Sequence, residues 1–228
     1  DLSISIISTR TSINLVEIFS FNGLKILLAA QHPLMKTRIQ SECDLFVPYG
    51  LYYAHRRWVG GMVTNFKRLS LYVFPFLLSR TDPIYASHSR FKKRWQKLLN
   101  LFSGFRNATV PPSFTFGSSI KYNPWLVRES LSLRMPHASL VDSDSVFSAL
   151  ITYPIPSSDA SVSAMLLFTL IYKNSFFLGL LERRKVFVFM LNIALQILRQ
   201  RNLDTYFITF STMLRFIESI IMFFNEEI

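Results

Sequence analysis

Apolar positions along this chain alternate between two rhythms, short unbroken runs and stretches with helical spacing. The run Leu24 to Ala30 is the kind found in a strand buried on both faces. Gln31-His32-Pro33 ends it, and Leu34 to Cys43 carries helical spacing. A second extended run, Leu51-Tyr52-Tyr53, leads into a polar and glycine-rich turn, and Met62 to Leu71 reads as a helix. Beyond Gly104 the rhythm resumes with a strand over Ser113 to Ile120 and a helix opened by Pro124. A strand over Met135 to Val141 and a short extended piece, Ile151 to Pro156, come next. Ser157-Ser158-Asp159 then reads as the cap of a long apolar helix that begins near Ser161. Strands and helices alternating at this size predict an α/β fold, a parallel sheet flanked by helices of the Rossmann or flavodoxin-like kind.

One stretch departs from this rhythm. Leu77-Leu78 is followed by a polar break over Ser79 to Pro83, and then by a helix placing Phe91, Trp95, Leu98, Leu99 and Phe102 on one face with cations elsewhere. Residues 75–106 therefore read as a basic helical hairpin inserted into the domain. The domain itself comprises 1–74 and 107–172, and residues 173–228 form an apolar helical C-terminal extension.

Charge sharpens the picture. The chain of 228 residues has a net charge of +11, and residues 56–106 hold eleven Lys and Arg against one acid, Asp82, for +10 of that total. A solvated face usually mixes both signs, so a one-signed block points to a polyanion partner. The single cysteine, Cys43, excludes an internal disulfide, and His32, His55, His88 and His137 show no metal-ligand spacing with it. No metal or other cofactor is expected. The apolar windows Ala160 to Tyr172 and Val186 to Leu198, thirteen residues each and closed by Lys173, by Arg183-Arg184-Lys185 and by Arg199, fall short of the roughly 20 residues of a spanning helix. Stable membrane insertion is not expected.

The most informative segment is Arg56 to Phe66, Arg-Arg-Trp-Val-Gly-Gly-Met-Val-Thr-Asn-Phe. Guanidinium groups bind phosphate bidentately, and paired glycines allow close backbone approach. From Arg57 to Asn65 it resembles the Arg-Trp-(Leu/Val)-Gly-Gly-(Met/Thr)-Leu-Thr-Asn signature of the small-subunit ribosomal protein S2 family. Some 80 residues on, the chain has Leu131-Ser-Leu-Arg-Met-Pro136, Leu140-Val-Asp-Ser-Asp144 and Tyr153-Pro-Ile-Pro-Ser-Ser-Asp159. These are similar, in order and spacing, to the family's Leu-Gly-Ile-Pro, Val-Asp-(Thr/Ser)-(Asn/Asp) and Tyr-Pro-Ile-Pro-Gly-Asn-Asp. Departures are Ser157-Ser158 in place of Gly-Asn, and Gly117-Ser118-Ser119 where the family has an acid after the strand.

The resemblance covers about Leu24 to Tyr172 and implies a non-catalytic rRNA-binding protein at the head/body junction of the small subunit. It implies small-subunit rRNA and neighbouring ribosomal proteins as partners. RNA contacts are expected from Arg56, Arg57, Gly60, Gly61, Asn65, Lys67 and Arg68, and from the basic helix at Arg90, Lys92, Lys93, Arg94 and Lys97. Trp58 is expected to pack rather than stack on a base. Heavy use of Phe, 22 residues, and of Ile suggests a mitochondrial version.

Two other classes stay open on the residues alone. A nucleotide-binding α/β enzyme would use Asp142 and Asp144 at a strand's C-terminal end, although the chain has no Gly-x-Gly-x-x-Gly or Walker sequence. A peripheral membrane protein would use the basic amphipathic helix and the Phe-rich tail.

Overall fold

The computed structural model describes residues 2–75 and 89–200. The chain opens with a helix absent from the sequence reading, α1 (Leu2–Phe21). There follow β1 (Ile26–Ala29), α2 (Lys36–Cys43), β2 (Leu51–Ala54) and α3 (Phe66–Arg68), the last continued by a π-helical turn over Leu69–Val73. After the undescribed residues come α4 (Ser89–Leu101), β3 (Phe114–Gly117), α5 (Pro124–Ser132), β4 (His137–Val141), β5 (Tyr153–Pro156) and α6 (Val162–Gln200). The polar break at Ser79 to Pro83, the first arm of the expected hairpin and the extension from residue 201 lie outside the described residues.

All five strands pair in parallel in the order β2-β1-β3-β4-β5, with Ile26 beside both Leu51 and Phe114. This is the flavodoxin-like order of a doubly wound sheet, within the fold class that the alternation of elements predicts. The strands β1, β2 and β3 are buried at every position. The period-2 geometry of a strand divides their side chains between two cores. Ile26, Leu28, Leu51 and Tyr53 face one core with Ile39, Met165, Tyr172 and Phe176, whereas Leu27, Ala29, Tyr52 and Ala54 face the other with Trp58, Phe66, Phe74 and Phe105.

The first core is closed by α1 lying against α6. Tyr172 stacks on Phe116 with ring centroids 4.1 Å apart, and its hydroxyl meets Ser12 Oγ of α1. The helices approach so closely that a Cβ on Gly179 would stand 1.7 Å from Ser20 Oγ and 2.5 Å from the Glu17 carbonyl oxygen. By length and composition, residues Val162–Ile193 of α6 are apolar enough to cross a membrane, which the interrupted windows of the sequence did not suggest. The fold uses the first half of this helix as a core element, with Met165, Tyr172 and Phe176 fully buried.

Three local readings are corrected. The helix expected from Met62 begins only at Phe66, because residues 60–65 form a turn held by side-chain contacts described below. Asp159 does not cap α6. Its carboxylate accepts from Ser119 Oγ at 2.9 Å and faces Lys121, while Ser161 Oγ accepts from the Ala164 N–H. Phe102, just past α4, is buried and Trp95 of α4 packs against the second core, but Leu98 and Leu99 of the expected apolar face are exposed.

The end of α5 carries the one non-glycine residue with positive φ among those described, Arg134 at 53°. Its N–H bonds the Leu131 carbonyl and the Met135 N–H bonds that of Ser130, closing the helix as a Schellman motif whose left-handed position favours glycine. A side chain there costs about 1 kcal/mol relative to glycine.

Two outcomes test this packing. Alanine is favoured over glycine in a helix interior by about 1 kcal/mol, yet Gly179→Ala should lower stability by about 1–3 kcal/mol because the methyl group meets a backbone carbonyl across the α1–α6 contact. Thermal unfolding measures it, and an unchanged or raised Tm contradicts the close approach. The second concerns His55 and His137, both buried. Burial pushes each imidazole down from 6.5 to about 4, and the Arg56 guanidinium adds to the effect at His55. The unfolded chain takes up protons near pH 6.5 that the folded chain refuses. The stability they contribute is therefore complete above pH 6.5 and lost as pH falls from there toward 4. The Tm should drop through that window and drop less in His137→Asn; a flat profile counts against buried neutral rings.

Candidate nucleic-acid interface

The segment after β2 is built around one carboxylate. Glu129, on the inner face of α5 and buried, receives Trp58 Nε1–H at 2.9 Å and the Gly61 N–H at 2.8 Å on Oε1. Its Oε2 accepts the Val63 N–H at 3.0 Å, the Thr64 N–H at 3.1 Å and the Thr64 hydroxyl at 3.3 Å. Five donors on two oxygens satisfy a buried anion that has no cation beside it in this network, and charge-assisted bonds of this kind are the strong ones. Such a turn cannot also be a helix. Gly61 stands at φ 90°, which requires glycine, while the space where Gly60 would carry a Cβ is open.

Trp58 lies in the second core with Met62, Val63 and Phe66, so its indole is a packing group. The flanking Arg56 and Arg57 are exposed, as are Asn65, Lys67 and Arg68. On α4, Lys92, Lys93, Arg94 and Lys97 are exposed; Arg90 lies in the same helix, but its side chain falls outside the description. The turn, α3 and α4 all rest on the same core, so the described part of the basic block occupies one face of the sheet.

The cations of this face have few acids near them. Among the described side chains of residues 56–106, only Arg106 has an acidic partner, Asp44 at 3.5 Å. Outside the block, Arg38 and Lys173 pair with Glu42, Lys121 with Asp144 and Asp159, and Lys185 with Glu182. Exposed cations left without partners are available to an external polyanion.

The acids favoured by the enzyme reading are occupied. Ligand oxygens of Asp142, Asp144 and Asp159 lie within 4.8 Å of one another. The Lys121 ammonium stands 2.8 Å from Asp144 and 3.2 Å from Asp159, and its own pKa is raised by these two partners. Asp142 accepts the Ser143 N–H at 2.7 Å within its turn. An internal cation thus satisfies two carboxylates of the only such group among the described residues.

Sequence reasoning missed Glu129 and Lys121. The available signal for Glu129 was an acid at a helical position flanked by the buried Leu126, Val127 and Ser130. Nothing in the sequence marks the five donors, all of which belong to a segment some 65–71 residues earlier and three of which are backbone amides.

The fold and this face define a doubly wound α/β domain with a rigid cationic turn on one side and no free carboxylate site at the described strand ends. The model of the family described as ribosomal protein S2 matches residues 1–179, and the chain belongs to that family. The match extends beyond the quoted motifs to include α1 and the core half of α6.

Individual relatives agree. The chain is 29% identical over 163 residues to the small ribosomal subunit protein uS2 of Fusobacterium nucleatum, covering 68% of this chain and 64% of the relative. It is 31% identical over 140 residues to the uS2 of Bifidobacterium animalis, covering 58% and 46%. With the uS2 of Rickettsia typhi it shares 26% over 167 residues, covering 67% and 55%. The chain thus spans about half to two thirds of the length of these relatives.

Glu129→Gln should destabilise the fold by about 2–4 kcal/mol, since an amide nitrogen replaces one acceptor oxygen and strands buried donors. Asp144→Asn, at an exposed ion pair, should cost under about 1 kcal/mol. Denaturant midpoints at constant m compare the two; equal effects contradict an organising role for Glu129.

Proposed function

We propose that the chain is a structural, non-catalytic constituent of the small ribosomal subunit that binds rRNA at the head/body junction and supports subunit assembly and translation. The observation that carries this reading is the set of exposed, unpaired cations on a turn fixed by Glu129. Arg56, Arg57, Lys67 and Arg68 reach phosphates, Gly60 leaves room for close backbone approach, and Asn65 bonds a sugar or base edge. Gly61 belongs to this surface through its conformation. Arg90, Lys92, Lys93, Arg94 and Lys97 on the basic insertion, residues 75–106, add a second line of backbone contacts.

Membership of a ribosomal family supports small-subunit rRNA and neighbouring ribosomal proteins as partners. A chain with 22 Phe, and with a helix that continues past the family match at residue 179, fits a mitochondrial version with a lineage-specific extension. Beyond that match α6 exposes Val186, Val188, Phe189 and Met190, a surface suited to a neighbouring protein. Burial of the first half of α6 against α1 and the sheet argues against stable membrane insertion.

Arg56→Ala/Arg57→Ala in the full chain should reduce cosedimentation with the small subunit. It should also lower the slope of log affinity for small-subunit rRNA against log salt by about 1.5–2. Unchanged incorporation and an unchanged slope would remove these residues from the interface.

A further inference from the structure

Beside α3 lies a groove of about 630 Å³ that the turn's own contacts leave open. It runs between α3 and the loops entering β3 and β4, at the edge of the sheet where these strands begin. Its apolar lining includes Pro111, Pro136 and the exposed side chain of Leu133, and its cations are Lys67 and Arg134. No acid lines it, and among the described residues neither cation is ion-paired.

Two observations single this groove out. Lys67 belongs to the basic turn-and-helix segment, so the groove continues that surface. Arg134 holds a left-handed backbone position, where glycine is unstrained and a side chain is not. Strain retained at one residue is a pointer to function, and here the strained residue carries a long cation to the mouth of a groove that has one already. Its size lies within the range of small-ligand pockets, roughly 300–1,000 Å³.

We propose that this groove takes an unpaired nucleotide of single-stranded RNA, its base lying on the apolar floor and its phosphate held by Lys67 and Arg134. The inference rests on the rRNA-binding reading above and adds a site to it. Single-stranded RNA is favoured because an unstacked base offers a flat apolar face and a flanking phosphate at once. A duplex presents phosphates but keeps its bases stacked inside. An acidic peptide satisfies the cations while leaving the floor without a matching planar group.

Arg134→Gly tests the site without endangering the fold, since glycine relieves the backbone. Binding of the full chain to a labelled single-stranded uridine hexamer and to a short RNA duplex is measured by fluorescence anisotropy from 0.05 to 0.3 M salt. The variant should bind the hexamer about three- to tenfold more weakly at low salt, with a salt slope smaller by about 1, and the duplex within about twofold of the parent. Crosslinks from 4-thiouridine in the hexamer should fall within residues 133–136. Equal hexamer affinity in parent and variant overturns the site, as does competition by hexaglutamate that matches unlabelled hexamer. If the Arg56/Arg57 variant loses small-subunit incorporation while Arg134→Gly leaves hexamer binding intact, the groove alone fails. If the parent binds no RNA, the rRNA reading fails and the groove with it.

Discussion

A single buried carboxylate organises the cationic turn of this protein. Glu129 draws the Trp58 indole, three backbone amides and a hydroxyl onto two oxygens. An anion left unsatisfied in such a place costs several kcal/mol, so the turn and the carboxylate require each other. The consequence is a division of labour within the thirteen residues from Arg56 to Arg68. Trp58, Met62 and Val63 face inward to the core, and Arg56, Arg57, Asn65, Lys67 and Arg68 face water. Cations on a backbone fixed in advance lose less freedom on binding, which favours affinity without adding a contact.

The two faces of the sheet serve different ends. One is closed by α1 and α6, which approach to the point that Gly179 has no room for a methyl group, and Arg38 and Lys173 beside it pair with Glu42. The other carries the turn, α3 and α4 over an aromatic core of Tyr52, Phe66, Phe74, Phe102 and Phe105, whose rings pack in a continuous chain. Charge is segregated because the strands alternate: successive residues of β1 and β2 feed opposite cores, and each core supports its own set of helices. The basic block is thus a property of one layer of the fold, gathered from residues that the sequence spreads over fifty positions.

The strands were legible because parallel strands buried on both faces become unbroken apolar runs, and the sheet formed where Leu24 to Ala30 and Leu51 to Tyr53 indicated. The basic segments were equally plain. The helix at Met62 was misjudged because its apolar spacing was real, yet Glu129 claims the amides that a first helical turn would otherwise present to water or a cap. Likewise α1 escaped notice, since its exposed Ile4, Ile6, Ile7 and Ile18 blur the contrast between its faces. Arg134 is a subtler case. The quoted family motif has glycine before Ile-Pro, and this chain keeps the left-handed backbone while changing the residue, so only φ reveals the strain.

The strand ends make the relation between fold and function sharper. In doubly wound sheets ligands bind outside the carboxyl ends of the strands, and this chain places three acids there. It then introduces Lys121 among them, so that the charges a cation or a hydroxyl-bearing ligand would seek are already met by an ammonium of the same chain. Asp159 is buried in that arrangement and held further by Ser119, which makes the cluster a clamp between the ends of β3, β4 and β5. The cations on the lateral face show the opposite pattern, exposed and without acids. Which charges are satisfied internally and which are left to the outside therefore leaves the open charge on the side of the sheet, on a backbone whose topology favours ligands at the strand ends.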